Sequence, residues 1–304
     1  MVGIFTYSTH FKDKFQTFTT LGEGNTPLLL ADKLAAKYGM EAIFFKDETV
    51  NPSGSFKDRA TAYQITYWTQ IGSKHFVLSS SGNAAISAAL YAKKFNLTLD
   101  LFLSSKTTPY KLVRLKDIIE DADVSIHFSR TPKKEALAFA KESSAINLLA
   151  SRDDNALEGY KTLGLELLEQ KTDGIFMPTS SGAGILGIAL GNECLTPLYA
   201  IQTTKINTIA KQFDTQFSET MFSLATAISA RYTPRKQAVI DMLEKSNGGG
   251  YVISDKELDD ALIDVQESEG RLISYDAALS VAGLKKALNN GQKLQTAICI
   301  LSGK

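Results

Sequence analysis

Apolar residues along this chain fall into two alternating patterns. Short apolar runs, closed by turn residues, read as strands; longer stretches with a period near 3.6 read as amphipathic helices. EAIFFKDE (41–48), the run at 76–78, LTLDLFLSS (97–105), DVSIHFS (123–129), AINLLAS (145–151), the run at 175–177, TPLYAIQT (196–203), GGGYVIS (248–254) and TAICILSGK (296–304) predict strands. Between them, DKLAAKYG (32–39), ATAYQITYWTQI (60–71), an alanine-dense stretch from about Ala84, PYKLVRLKDIIED (109–121), TPKKEALAFAKES (131–143) and NALEGYKTLGLELLEQ (155–170) predict helices. TPRKQAVIDMLEKS (233–246), DKELDDALIDVQESEG (255–270) and SYDAALSVAGLKKAL (274–288) continue the helical series, and 205–232 is the least patterned part of the chain. Regular alternation of strand and helix predicts an α/β fold with a mainly parallel sheet.

Composition narrows the function classes. The chain has 304 residues with Lys+Arg 33 against Asp+Glu 33, so no long-range field recommends nucleic acid or an anionic membrane. Cys194 and Cys299 stand far apart, and His10, His75 and His127 are scattered, so neither a disulfide framework nor a metal site is expected. The N-terminal stretch has no apolar h-region behind a basic one, and no run reaches the length of a membrane span, so a cytoplasmic protein is expected.

Chemistry concentrates at three strand-to-helix turns. NPSGSFKDR (51–59) sets Lys57 at the start of a helix, where a positive field favours the neutral, nucleophilic amine; Ser53 or Ser55 is expected to cap the first free N–H groups. SSSGN (79–83) and the small-residue turn of Thr179, Ser180, Ser181, Gly182, Ala183 and Gly184 each expose helix-initiating N–H groups suited to a carboxylate or phosphate. The second of these lacks the Walker lysine and the GxGxxG spacing.

In order along the chain, GEGNTPL, NPSGSFKDR, SSSGNAA, LEGYKTLGLEL, the turn after Met177-Pro178, ATAI, ESEG with AALSVAGL, and ILSG make the sequence resemble the fold-type II pyridoxal-phosphate enzymes. Among these it most resembles the threonine synthase family, of the tryptophan synthase beta-like group. The resemblance implies pyridoxal 5'-phosphate as cofactor, bound to Lys57 as a Schiff base, with Lys57 later moving substrate protons. Phe56 would lie near the pyridine ring, Asn83 would bond the 3′ oxygen, residues 179–184 would hold the phosphate, and Ser302 would face the ring nitrogen. A neutral hydroxyl there leaves that nitrogen largely unprotonated, which favours elimination over transamination. Ser80, Ser81, Asn83 and Ala84 would bind the substrate carboxylate.

The resemblance also implies two three-layer α/β/α domains with the cofactor in the cleft between them. A small mobile domain would span 49–149 and close over substrate; a discontinuous large domain would comprise 1–48 and 150–304. A homodimer is implied as well. The reaction implied is γ-elimination of phosphate from O-phosphohomoserine followed by addition of water at Cβ. The alternative is β-replacement or β-elimination on serine, O-phosphoserine or a related amino acid, as in cysteate synthase, diaminopropionate synthase or serine/threonine dehydratase; a minor one is a non-catalytic cofactor-binding homologue. Local departures bear on that choice. Ala156 stands where the family has arginine, SARYTP (229–234) where it has RIGNP, Ser180 and Ser181 where it has glycine and asparagine, and the GHG that follows in the family would lie beyond Lys304. Lys111, Ser151, Arg152 and Arg231 are therefore the candidates for a leaving-group anion site.

Overall fold

The computed structural model describes residues 2–105, 107 and 109–304, the side chains of 109–111 excepted. Ten strands form in chain order: β1 (Leu28–Leu30), β2 (Ala42–Asp47), β3 (His75–Ser79), β4 (Thr98–Ser104), β5 (Val124–Ser129), β6 (Ile146–Asn147), β7 (Ile175–Pro178), β8 (Leu198–Thr203), β9 (Gly249–Ile253) and β10 (Thr296–Leu301). AINLLAS, expected as a full strand, contributes only β6, because the chain turns away at Leu149, whose N–H bonds Asn147 Oδ1 at 3.0 Å. The helix expected over 155–170 ends at Glu166 and passes into tighter turns.

Contacts divide the chain into two compact units. One comprises residues 2–24 with Asn51–Thr162, the other Asn25–Val50 with Leu163–Lys304. This differs from the expected 49–149 division: the N-terminal segment and residues 150–162 pack with the lysine-bearing unit. The physical reason is aromatic. Phe5, Phe11, Phe15 and Phe18 cluster, and Phe11 lies edge-on to Tyr63 of the Lys57–Gln70 helix at 4.8 Å between centroids.

The first unit holds a parallel four-stranded sheet ordered β5-β4-β3-β6, whose buried residues, including Phe76, Leu99 and Leu101, pack against the helices Lys57–Gln70 and Asn83–Phe95. The second holds a six-stranded sheet ordered β1-β2-β10-β7-β8-β9, parallel except for the edge pair β1 and β2. Its core runs through Phe176, Ile201, Ile253 and the small-residue helix Tyr275–Asn289. That helix lies close because Gly283 has no side chain: a β-carbon there would fall 2.5 Å from Ile201 Cδ1. No helix among the described residues is long and apolar enough to cross a membrane, and among them no cluster of metal-ligating side chains forms. His75 and His127 instead share Asp100, at 2.7 and 2.6 Å.

Candidate functional site

In the first unit, Lys57 is the first residue of its helix, as the pattern predicts. The approach turn closes with the Gly54 N–H on Asn51 O at 2.7 Å, with Gly54 at φ +83, a conformation that favours glycine. Of the two expected caps, Ser55 Oγ accepts the Lys57 N–H, at 3.4 Å. Ser53 does not cap; its own N–H donates to Asp58 Oδ2 at 2.6 Å, so the carboxylate folds back onto the turn. Lys57 Nζ sits 4.1 Å from the Phe56 ring centroid and 5.7 Å from that of Tyr160, which is fully buried. The two rings give the amine an apolar wall on one side.

Glycine explains how LEG supports that wall. A β-carbon at Gly159 would fall 2.2 Å from Arg59 O, so the Asn155–Glu166 helix meets the lysine helix backbone to backbone. Arg59, fully buried, donates to Thr162 Oγ1 at 3.0 Å across this contact. One turn after Lys57, Thr61 Oγ1 donates to Lys57 O at 3.1 Å and accepts from Ser87 Oγ at 2.8 Å. Ser87 itself lies one turn after Asn83, the first residue of Asn83–Phe95. This hydroxyl pair ties the first turns of the two helices together.

Ser80, Ser81, Asn83 and Ala84 are all half-buried at the carboxyl end of β3. Gly82 is extended (φ −119, ψ −152) and its carbonyl starts the helix, leaving the first N–H groups without intrahelical acceptors. Because β6 pairs with β3, residues 148–154 leave the sheet at the same end. Gln64 Nε2 and Trp68 Nε1 hold Asp153 there, at 2.9 and 3.1 Å. Ser151 is half-buried but Arg152 is exposed, and Ala156 is fully buried. The Lys111 side chain lies outside the described residues.

In the second unit, β7 runs into the turn 179–184 and then the helix Ala183–Asn192. Gly182 takes φ +84, and a β-carbon on it would fall 2.6 Å from Val239 Cγ2. Thr179 donates its N–H to Ile201 O at 2.8 Å and its hydroxyl to Met177 O at 2.9 Å, so it faces the turn with backbone rather than side chain. Ser180 Oγ accepts the N–H groups of Ser229 and Ala230, at 3.1 and 3.2 Å, which draws the departing SARYTP segment against the turn. Arg231 beyond it is exposed.

Sequence reasoning missed the residue that braces this turn. Gln202, fully buried on β8, donates to Thr179 O at 3.1 Å and Ser180 O at 3.5 Å, while its Oε1 accepts from Ile209 and Ala210 N–H at 2.7 and 2.9 Å. A fully buried amide in a mostly apolar strand is the available signal. Ser302, 7% exposed, follows β10, and β10 is the parallel neighbour of β7. Ser302 and the 179–184 turn thus share the carboxyl end of adjacent parallel strands, where open α/β sheets bind ligands. Ser274 Oγ bonds Gly303 O at 2.6 Å, and Arg271 pairs with Asp47, which lies opposite Leu301 through β2.

The comparisons with known proteins concern the chain as a whole. Residues 19–303 match the family described as pyridoxal-phosphate dependent enzymes. The threonine synthase of Methanosarcina acetivorans is 28% identical over 312 residues, covering 93% of this chain and 75% of that protein. That of Halalkalibacterium halodurans is 27% identical over 296 residues, covering 93% and 83%. Among solved structures, maize serine racemase superposes with a TM-score of 0.79 at 22% identity, covering 92% of this chain and 88% of that one. A pyridoxal 5'-phosphate-dependent aspartate racemase gives 0.79 at 16%, covering 99% and 95%. At these identities the structures share the fold. With its family match running from Thr19 to Gly303 over the fold-type II α/β architecture, this chain belongs to the pyridoxal-phosphate dependent enzymes.

Proposed function

We propose that the protein is a pyridoxal-phosphate-dependent lyase that carries out β-elimination or β-replacement on a serine-like or threonine-like amino acid, free or as its phosphate ester. The observation that carries this reading is the segment ahead of LEG. There Ala156 is fully buried and Arg152 exposed, so the cation expected to meet the distal phosphate of O-phosphohomoserine has no counterpart turned inward in that segment. Lys57 and the 80–84 cradle, which serve any α-amino acid, are tied together by the Thr61–Ser87 bond.

Each unit by itself carries groups suited to the cofactor. The glycine turn offers the free N–H groups of a helix start to its phosphate, Ser302 a buried neutral hydroxyl to its ring nitrogen, and Lys57 an amine beside an apolar ring. Asn83 would meet its ring oxygen and Phe56 its flank. Bound there, pyridoxal phosphate supplies an electron sink for the carbanion at substrate Cα. Lys57 Nζ removes the Cα proton and returns one to the departing oxygen. Ser80, Ser81 and the Ala84 N–H hold the carboxylate, and Phe56 with Tyr160 keeps water from one side of the amine. The homodimer implied by the resemblance remains part of this proposal and is read from the mass in solution by light scattering.

A second reading, threonine synthase, is supported by the curated relatives at 28% and 27% identity. The test is product analysis of the cofactor-loaded protein with L-serine, L-threonine, O-phospho-L-serine and O-phosphohomoserine. A 2-oxo acid, or a β-substituted product with an added nucleophile, from any of the first three is the expected result. Phosphate and L-threonine from O-phosphohomoserine alone would replace it with the second reading.

A further inference from the structure

Beside the lysine turn stands a cation that neither the motifs nor the proposed mechanism uses. Arg114, half-buried on the helix Pro109–Ile119, donates one guanidinium N–H to the carbonyl of Ser53, four residues ahead of Lys57. Ser53 O is its partner among the described residues, so most of its five donors are left for other acceptors. Next to it is a second incomplete group. Ser53 is 4% exposed, and its Oγ has no hydrogen-bond partner among the described residues. Burying a hydroxyl without a partner is costly, and a half-buried guanidinium with open donors is a fork matched to a planar or tetrahedral oxyanion. Ser53 N is already taken by Asp58, which leaves the hydroxyl as this residue's remaining donor.

We propose that Arg114 and the Ser53 hydroxyl form an anion subsite beside Lys57 that recognises a phosphate ester on the substrate side chain, making O-phospho-L-serine-type amino acids the preferred class. This rests on the lyase reading above and deepens it. It also relocates the expected leaving-group site: Arg152 and Arg231 are exposed, whereas Arg114 is held against the turn that carries the catalytic amine. In the reaction so drawn the Cα proton goes to Lys57, the electron pair left at Cα becomes the Cα–Cβ double bond, and the Cβ–O bond breaks with its pair leaving on the phosphate, whose charge Arg114 and Ser53 stabilise.

The test uses the cofactor-loaded protein. KM and kcat are measured for O-phospho-L-serine and L-serine in wild type, Arg114→Gln, Arg114→Lys and Ser53→Ala, and inorganic phosphate binding is measured by calorimetry on the same four proteins. Arg114→Gln is expected to raise KM for the phosphate ester roughly 10- to 100-fold, the size of a lost charged hydrogen bond, and to weaken phosphate by a similar factor. The rise for L-serine should be at least about tenfold smaller. Arg114→Lys should recover part of the loss, and Ser53→Ala should show a smaller loss of the same kind. Equal losses on both substrates with phosphate binding unchanged would make Arg114 a structural brace and overturn the subsite. If neither amino acid turns over, the lyase reading fails, yet the phosphate calorimetry still decides: binding lost in Arg114→Gln upholds the subsite, and no binding in wild type overturns it.

Discussion

In the proposed reaction Lys57 carries the proton transfers in one side chain. Lys57→Ala should keep the fold, abolish the visible-edge absorbance of the bound cofactor, and lower turnover by at least about 10²–10⁴-fold, as measured by spectrum and product assay. Two residues in the second unit act through backbone geometry instead. Gly182→Ala forces a side chain into a left-handed position against Val239, so it should cost about 1–3 kcal/mol and weaken cofactor binding, read by thermal denaturation with and without pyridoxal phosphate. Gln202→Leu strands two buried N–H groups and two carbonyls around the turn, at about 1–3 kcal/mol for each group left unsatisfied. Of these three residues, the lysine was legible from its motif. The glutamine was not, because its role depends on Ile209 and Ala210, seven and eight residues on, folding back over the strand.

At the level of elements, the helix boundaries matter most, and each turn spells its own geometry. Gly39 and Gly270 take φ +70 and +64 just past their helices, and Ser254 forms a full capping box with Glu257. Ser254→Ala should cost about 1 kcal/mol. What the local pattern does not contain is which helix start lies beside which. That depends on the hydroxyl pair of Thr61 and Ser87 and on the bare surface of Gly159. In a double-mutant cycle, Thr61→Val and Ser87→Ala should couple by about 0.5–1.5 kcal/mol in stability and should lower turnover together rather than independently. The short β6 shows the limit of apolar runs as evidence. AINLLAS has the composition of a strand, but Asn147 caps the run after two residues and the chain leaves the sheet.

For the molecule as a whole, charge placement predicts the response to acid. Burial pushes the Asp47 and Asp264 carboxyls up, but the bonds from Thr49 and Arg271, and from Lys285, Lys37 and Tyr38, outweigh it and hold both below their ordinary values. Asp173 is held low chiefly by the Thr296 N–H. Groups lowered in the folded state stabilise it above their unfolded values and lose that contribution as pH falls through the folded ones, so Tm should drop below about pH 4. Glu23 has the opposite sign: burial raises it, so its contribution is present at low pH and fades as pH rises through its raised value. Asp264→Asn should therefore flatten the acid limb in a melt series from pH 7 to 3. The chain's sequence by itself determined the alternation of strands and helices, the three turns that carry N–H donors, the lysine and its cofactor, because these follow from local periodicity, turn residues and motif order. Only the tertiary structure decided that residues 2–24 pack with the lysine-bearing unit, that Gln202 braces the glycine turn, and that Arg114 rather than Arg152 approaches the lysine turn. Those outcomes rest on contacts between residues tens of positions apart, and long-range packing and hydrogen-bond completion leave no periodic trace in the chain.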